Sequence, residues 1–167
     1  METQSDALIA ERHTTHGDFH DNAEFSQHMK RVARALMAGS SWNDEMREAV
    51  DMICLKISRV VTGQALELDH WRDVAGYAAL ALKSIRKPGS STALPNLAKK
   101  LELRLKGPDY AIRTRHLPGK CLIALDAIFT ALSLLLDGGP QYEDHWGWIV
   151  DAANEVADNY WGESNSA

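Results

Sequence analysis

The stretch Asp44-Glu45-Met46-Arg47-Glu48-Ala49-Val50-Asp51-Met52-Ile53-Cys54-Leu55-Lys56-Ile57-Ser58-Arg59-Val60-Val61-Thr62 decides the fold. Wound at about 100° per residue, it gathers Met46, Ala49, Val50, Ile53, Ile57, Val60 and Val61 onto one apolar face, the pattern of a core-facing helix. Beside that face run Glu45, Glu48, Met52, Lys56 and Arg59. This flank is acidic at its start and basic roughly 12 to 21 Å further along, at about 1.5 Å per residue.

Working outward, apolar residues keep helical spacing nearly everywhere. The sequence predicts seven helices and no strands, near 5–13, 22–38, 43–62, 69–85, 94–105, 119–137 and 143–160. Breaks fall at Lys87-Pro88-Gly89-Ser90-Ser91, Pro118-Gly119 and Gly138-Gly139-Pro140, and Glu163 to Ala167 reads as a frayed tail. The expectation is an all-α helical bundle forming one domain over 1–167. A chain of this length buries roughly two-thirds of its unfolded surface and needs no disulfides. Its two cysteines, Cys54 and Cys121, sit in apolar segments as buried thiols of a reducing compartment. The absence of 18 consecutive apolar residues and of a signal-peptide pattern leads us to expect no membrane partner and a cytoplasmic location. A net charge of -5 argues against duplex nucleic acid as a partner.

An internal repeat appears at an offset of 75 residues. Ala49-Val50-Asp51 leads to Asp69-His70-Trp71 as Ala124-Leu125-Asp126 leads to Asp144-His145-Trp146, and Gly63 falls on Gly138. Ile53, Ile57, Ser58 and Val60-Val61 match Ile128, Leu132, Ser133 and Leu135-Leu136. One helical hairpin, about 43–85, is thus duplicated at about 119–160. The second copy has lost the polar flank: Glu45, Glu48, Met52, Lys56 and Arg59 become Lys120, Ile123, Ala127, Ala131 and Leu134, while Asp73 and Tyr77 become Trp148 and Ala152. A segment like 119–137, apolar almost all round, belongs in a bundle centre. The second hairpin is read as a degenerate, structural copy.

On the helix 69–85, His70, Asp73 and Tyr77 form a polar stripe beside core-facing Trp71, Val74, Ala78 and Leu82. Carboxylates from two helices suit Mg²⁺ or Mn²⁺, with Glu45, Glu48 and Asp73 as ligands if the fold brings them together, and His70 tilting the choice toward Mn²⁺. Lys56 and Arg59 would contact phosphate, so the chemistry indicated is phosphoanhydride cleavage. Glu48 is the candidate general base. Asp69 reads first as an N-cap and second as a ligand. Asp18 and Asn22 either read a nucleobase edge or shape a turn and cap the helix 22–38, and Tyr77 could stack on a base.

Asp44-Glu45-x-x-Glu48-x-x-Asp51 followed by His70-Trp71-Arg72-Asp73 resembles the E-E-x-x-E-x-x-D and E-x-x-D signature of MazG-like all-α nucleoside triphosphate pyrophosphohydrolases. His16-Gly17-Asp18 with Asn22, and the stretches around Lys56 to Arg59 and Asp73 to Tyr77, are similar to the small phage-encoded branch. The resemblance covers about 10–85. It implies Mg²⁺- or Mn²⁺-dependent conversion of an NTP or dNTP, dGTP or GTP by preference, to the monophosphate and pyrophosphate. It further implies a homodimer or homotetramer, located in the host cytoplasm if phage-encoded. Carried over by position, Glu45, Glu48 and Asp73 would bind metal, with Asp51 as a fourth candidate. His70 stands where the signature has Glu, so either His70 or Asp69 serves there.

Two other classes compete. His13, His16 and His20-Asp21 superficially resemble an HD-type triphosphohydrolase, although they crowd into one segment. A non-enzymatic helical interaction protein is the other, with five tryptophans, three of them after residue 140, available for an oligomer interface.

Overall fold

The computed structural model describes residues 4–37, 42–85, 95–137 and 143–164. Among these it holds eight helices and no strand: α1 (Gln4–His16), α2 (Phe19–Leu36), α3 (Asp44–Thr62), α4 (Leu68–Lys83), α5 (Pro95–Lys106), α6 (Tyr110–Thr114), α7 (Gly119–Leu136) and α8 (Glu143–Ser164). The breaks at Lys87 to Ser91 and Gly138 to Pro140, and the tail from Asn165 onward, lie outside the described residues. Two departures from the predicted helices have local causes. Asp18 caps α2, its Oδ1 accepting from the backbone N–H of His20 (2.8 Å) and Asp21 (3.2 Å), so the helix starts three residues before position 22. The short α6 has too few residues for a periodic signal and is held by the Tyr110 ring edge-on to Phe129 at 5.3 Å.

The helices form a closed circuit around one core: α2 packs on α3, α3 on α4, α4 on α8, α8 on α7, α7 on α5, and α5 returns to α2. The order α2-α3-α4 is repeated as α5-α7-α8, so the duplicated unit gains a helix at its front. Buried side chains match across the repeat: Ile53 with Ile128, Ile57 with Leu132, Trp71 with Trp146, and His70 with His145. Ser58 and Ser133 are both buried, their hydroxyls donating to the backbone oxygens of Leu55 (2.8 Å) and Phe129 (2.6 Å). Helix α7 is apolar and long enough to cross a membrane by length and composition, and 56% of it is buried in the bundle. It is a core helix of the circuit, packed on α8 and α5, where its sequence predicts the bundle centre.

The repeated aspartates explain one another. Asp51 receives a two-pronged ion pair from Arg34 of α2, with Nε to Oδ1 at 3.2 Å and a second, shorter contact from NH2. Asp126 receives Lys106 of α5 at 2.7 Å. In both copies the aspartate ties the front helix of the unit to its second helix. Asp51 is therefore a bundle tie engaged away from α4, which corrects its candidacy as a metal ligand.

Candidate functional site

The first hairpin is clasped at both ends, and the clasps set the level of every residue between. At one end Asn43 caps α3, its Oδ1 accepting from Met46 N–H at 2.8 Å, while its Nδ2 donates to Ser84 O at 3.1 Å at the end of α4. At the other end the Lys56 ammonium contacts Asp73 directly and stands 3.5 Å from Asp69. Lys56 is nearly buried, its side chain 8% exposed, whereas Asp73 and Asp69 are 37% and 70% exposed. Arg59, one turn beyond Lys56, lies in the field of both aspartates; burial weighs against its charge and the aspartates support it.

This geometry sorts the predicted site residues. Lys56, Arg59, Asp69 and Asp73 come together. Asp69 is not the N-cap, since α4 begins at Leu68 with Glu67 in the capping position; it faces Lys56. Glu45 and Glu48 do not join them. Both are exposed near the Asn43 end of α3, and at 1.5 Å per residue they stand roughly 13 and 9 Å from the level of Asp73 along the hairpin. Glu48 lies on the α2 flank, close enough to Arg34 to favour its charge. His70 is turned inward, 1% exposed, with Nε2 3.3 Å from Thr15 O. Burial lowers its pKa, and it is a structural contact where a ligand was expected. Among the described residues, the group of three metal-ligating side chains whose donor atoms come within 4.8 Å is Asp18, His20 and Asp21. All three are exposed, and Asp18 is already capping α2.

The expected ligand set of Glu45, Glu48, Asp51, His70 and Asp73 therefore does not come together around one point. The two carboxylates that the structure places around one positive charge are Asp69 and Asp73, and that charge is the Lys56 ammonium.

The nucleobase candidates are redistributed as well. Asn22 is 8% exposed and its Nδ2 donates to His16 O (3.3 Å) and Thr62 Oγ1 (3.4 Å), so it is a clamp between the α1-α2 turn and α3. Asp18 is the α2 cap. Tyr77 packs half-buried against the core and borders a shallow dent with Asp73, Gly76 and Leu80, the one candidate left beside the site. Trp42 and Trp71 are buried, Trp71 Nε1 donating to Ala65 O at 2.7 Å.

The structure adds a part that sequence reading missed. The turn after α1 lies directly on the turn after α3, and glycine on both sides permits it. A Cβ on Gly17, whose φ is +77°, would stand 2.0 Å from Thr62 O, and one on Gly63 would stand 2.5 Å from His16 C. Thr15 O accepts from both Gln64 N–H (3.1 Å) and His70 Nε2. His16 is thereby held over the basic end of α3, its ring edge-on to His70 at 5.3 Å. The repeated Gly63/Gly138 and the His16-Gly17 pair are turn signals in the sequence, but nothing local says that the two turns meet.

The profile of one protein family, described as a domain of unknown function (DUF6378), matches residues 1–85. The chain belongs to this DUF6378 family. The match takes in α1 to α4, the half that carries the Lys56 network and the glycine crossing, and ends before the degenerate copy. Comparison with curated proteins and with solved structures finds no match.

Proposed function

We propose that this DUF6378 protein is a metal-dependent nucleoside triphosphate pyrophosphohydrolase, cleaving an NTP or dNTP to the monophosphate and pyrophosphate. One observation carries the reading. The nearly buried Lys56 sits between Asp69 and Asp73 with Arg59 beside it, and the duplicated hairpin has Ala131, Leu134 and Trp148 in place of Lys56, Arg59 and Asp73. The second copy keeps the buried apolar face without this network. The first hairpin keeps two cations suited to a phosphate chain and two carboxylates suited to a divalent ion. The resemblance to MazG-like enzymes supports the same reaction class.

Asp69 and Asp73 would hold Mg²⁺ or Mn²⁺, which when bound polarises a phosphoryl oxygen and neutralises developing charge. Lys56 and Arg59 bind and orient the phosphates, and Tyr77 is placed to border the nucleoside. The test is incubation of the purified protein with each of the eight common NTPs and dNTPs plus Mg²⁺ or Mn²⁺, with products separated by anion exchange. Monophosphate with pyrophosphate is expected. Nucleoside with tripolyphosphate would indicate the HD-type reaction instead, and an absence of turnover would favour an interaction protein.

A further inference from the structure

We propose that His16 is the general base of this hydrolysis, accepting a proton from the attacking water at Nε2. The inference rests on the pyrophosphohydrolase reading and names a residue for a step that Glu48 is too distant to perform from its place near the Asn43 end of α3.

Three features of the structure converge on His16. Its backbone is fixed from both sides, by Asn22 Nδ2 on its carbonyl oxygen at 3.3 Å and by the glycine crossing against Thr62 and Gly63. The helix that precedes it contributes no buried residue, so this anchoring serves the turn and not the packing of α1. One ring nitrogen is also engaged: Nδ1 lies 2.5 Å from the Thr15 hydroxyl, so Nε2 is the nitrogen left to meet a water. Finally, its surroundings are cationic. Arg12 from α1 and Lys56 and Arg59 from α3 face it, and His70 from α4 touches its ring. Burial and these cations lower its pKa, which keeps the ring neutral near pH 7.

The other ionisable groups nearby have other roles: Asp69 and Asp73 pair with Lys56 and are the carboxylates assigned to the divalent ion, and His70 Nε2 is on Thr15 O. In the proposed step the water oxygen attacks the α-phosphorus, the bond to the α-β bridging oxygen breaks, and pyrophosphate leaves. The water proton passes to Nε2 and then to solvent. Atoms and charge balance without a further reactant.

The experiment compares the wild type with His16→Ala, His16→Gln and Thr15→Val in full-length protein, measuring kcat and KM from pH 5 to 9, with circular dichroism to verify folding. A general base typically contributes about 10²- to 10⁴-fold. His16→Ala should lose kcat on that scale while KM moves less than about threefold, lose the acidic limb of the pH profile, and regain turnover with added imidazole. Thr15→Val should move the acidic limb with little change in KM. Wild-type turnover matched by His16→Ala would overturn the assignment alone. So would a loss in His16→Ala that imidazole does not rescue and that leaves the pH profile unchanged, the pattern of a structural role. No turnover by the wild type would instead overturn the pyrophosphohydrolase reading, and the assignment with it.

Discussion

The Lys56 ammonium of α3 is held by the Asp73 carboxylate of α4, with the lysine side chain 8% exposed and the aspartate 37%. The asymmetry of burial makes the two partners unequal. Removing Lys56 leaves carboxylates that water can reach, whereas removing Asp73 leaves a nearly buried cation with only the 3.5 Å contact to Asp69. Lys56→Met should cost about 1–2 kcal/mol of stability, below the ~3–5 kcal/mol expected when a buried charge is stranded, and Asp73→Ala should cost more than Lys56→Met. Urea unfolding of both variants and the double variant gives the order and the coupling. Nucleotide affinity should fall further than stability in Lys56→Met; equal affinity to the wild type would make the lysine a bundle tie only.

The bundle is legible in the sequence because its signals are local and repeated. The face of Met46 to Val61 and its copy at 124–136 announce two core helices, and the 75-residue register pairs His145 and Trp146 with His70 and Trp71, all four of them buried. The polar site is legible only as a list. Lys56, Arg59 and Asp73 are recoverable because the second copy lacks them. The grouping of Glu45 and Glu48 with Asp73 fails because a helical wheel gives direction and not level: antiparallel packing set by Asn43 and Ser84 places the two acids near the opposite end from Asp73. The sense of the Asp69-His70 pair depends on how α4 is rotated against α3, which a wheel alone does not give: Asp69, one turn before Asp73, faces Lys56 with it, and His70 turns to the interior.

Two glycines should respond in opposite ways. Gly17→Ala must place a methyl 2.0 Å from Thr62 O at a φ of +77°, which pushes the α1-α2 turn off the α3-α4 turn. A loss of more than about 2 kcal/mol is expected, together with any activity that depends on His16. At Gly76, within α4, an added methyl would meet nothing within 4 Å, so Gly76→Ala should stabilise by about 0.5–1 kcal/mol through helix propensity. Thermal melts of the pair provide the check, and a silent Gly17→Ala would contradict the crossing.

The two aspartate ties should differ in strength. Arg34 is 57% exposed and Asp51 19%, so Asp51→Ala should cost about 1 kcal/mol and leave nucleotide turnover intact. Lys106 is 11% exposed and shared between Asp126 and Glu102, itself 6% exposed. Lys106→Ala leaves the buried Glu102 with Lys99 and a 3.5 Å bond from the Thr130 hydroxyl, and about 3 kcal/mol should be lost. Turnover abolished by Asp51→Ala at full stability would restore Asp51 as a ligand candidate.

Acid should destabilise the fold through its histidines. Burial lowers the pKa of His16, His70 and His145 from the ordinary 6.5, with the cations Lys56 and Arg59 adding to the effect at His16 and His70. A histidine whose pKa is lower in the folded state binds its proton more readily when unfolded. Its contribution is fully present above pH 6.5 and is lost as the pH falls through the lower folded values, so the unfolding free energy should be level near pH 7–8 and decline below about 6.5. Urea titrations at half-unit steps from pH 8 to 5, in EDTA to exclude bound metal, measure the slope. His70→Gln keeps a donor for Thr15 O but cannot titrate in this range, so it should flatten part of the decline. An identical slope in that variant would assign the acid sensitivity to His16 and His145.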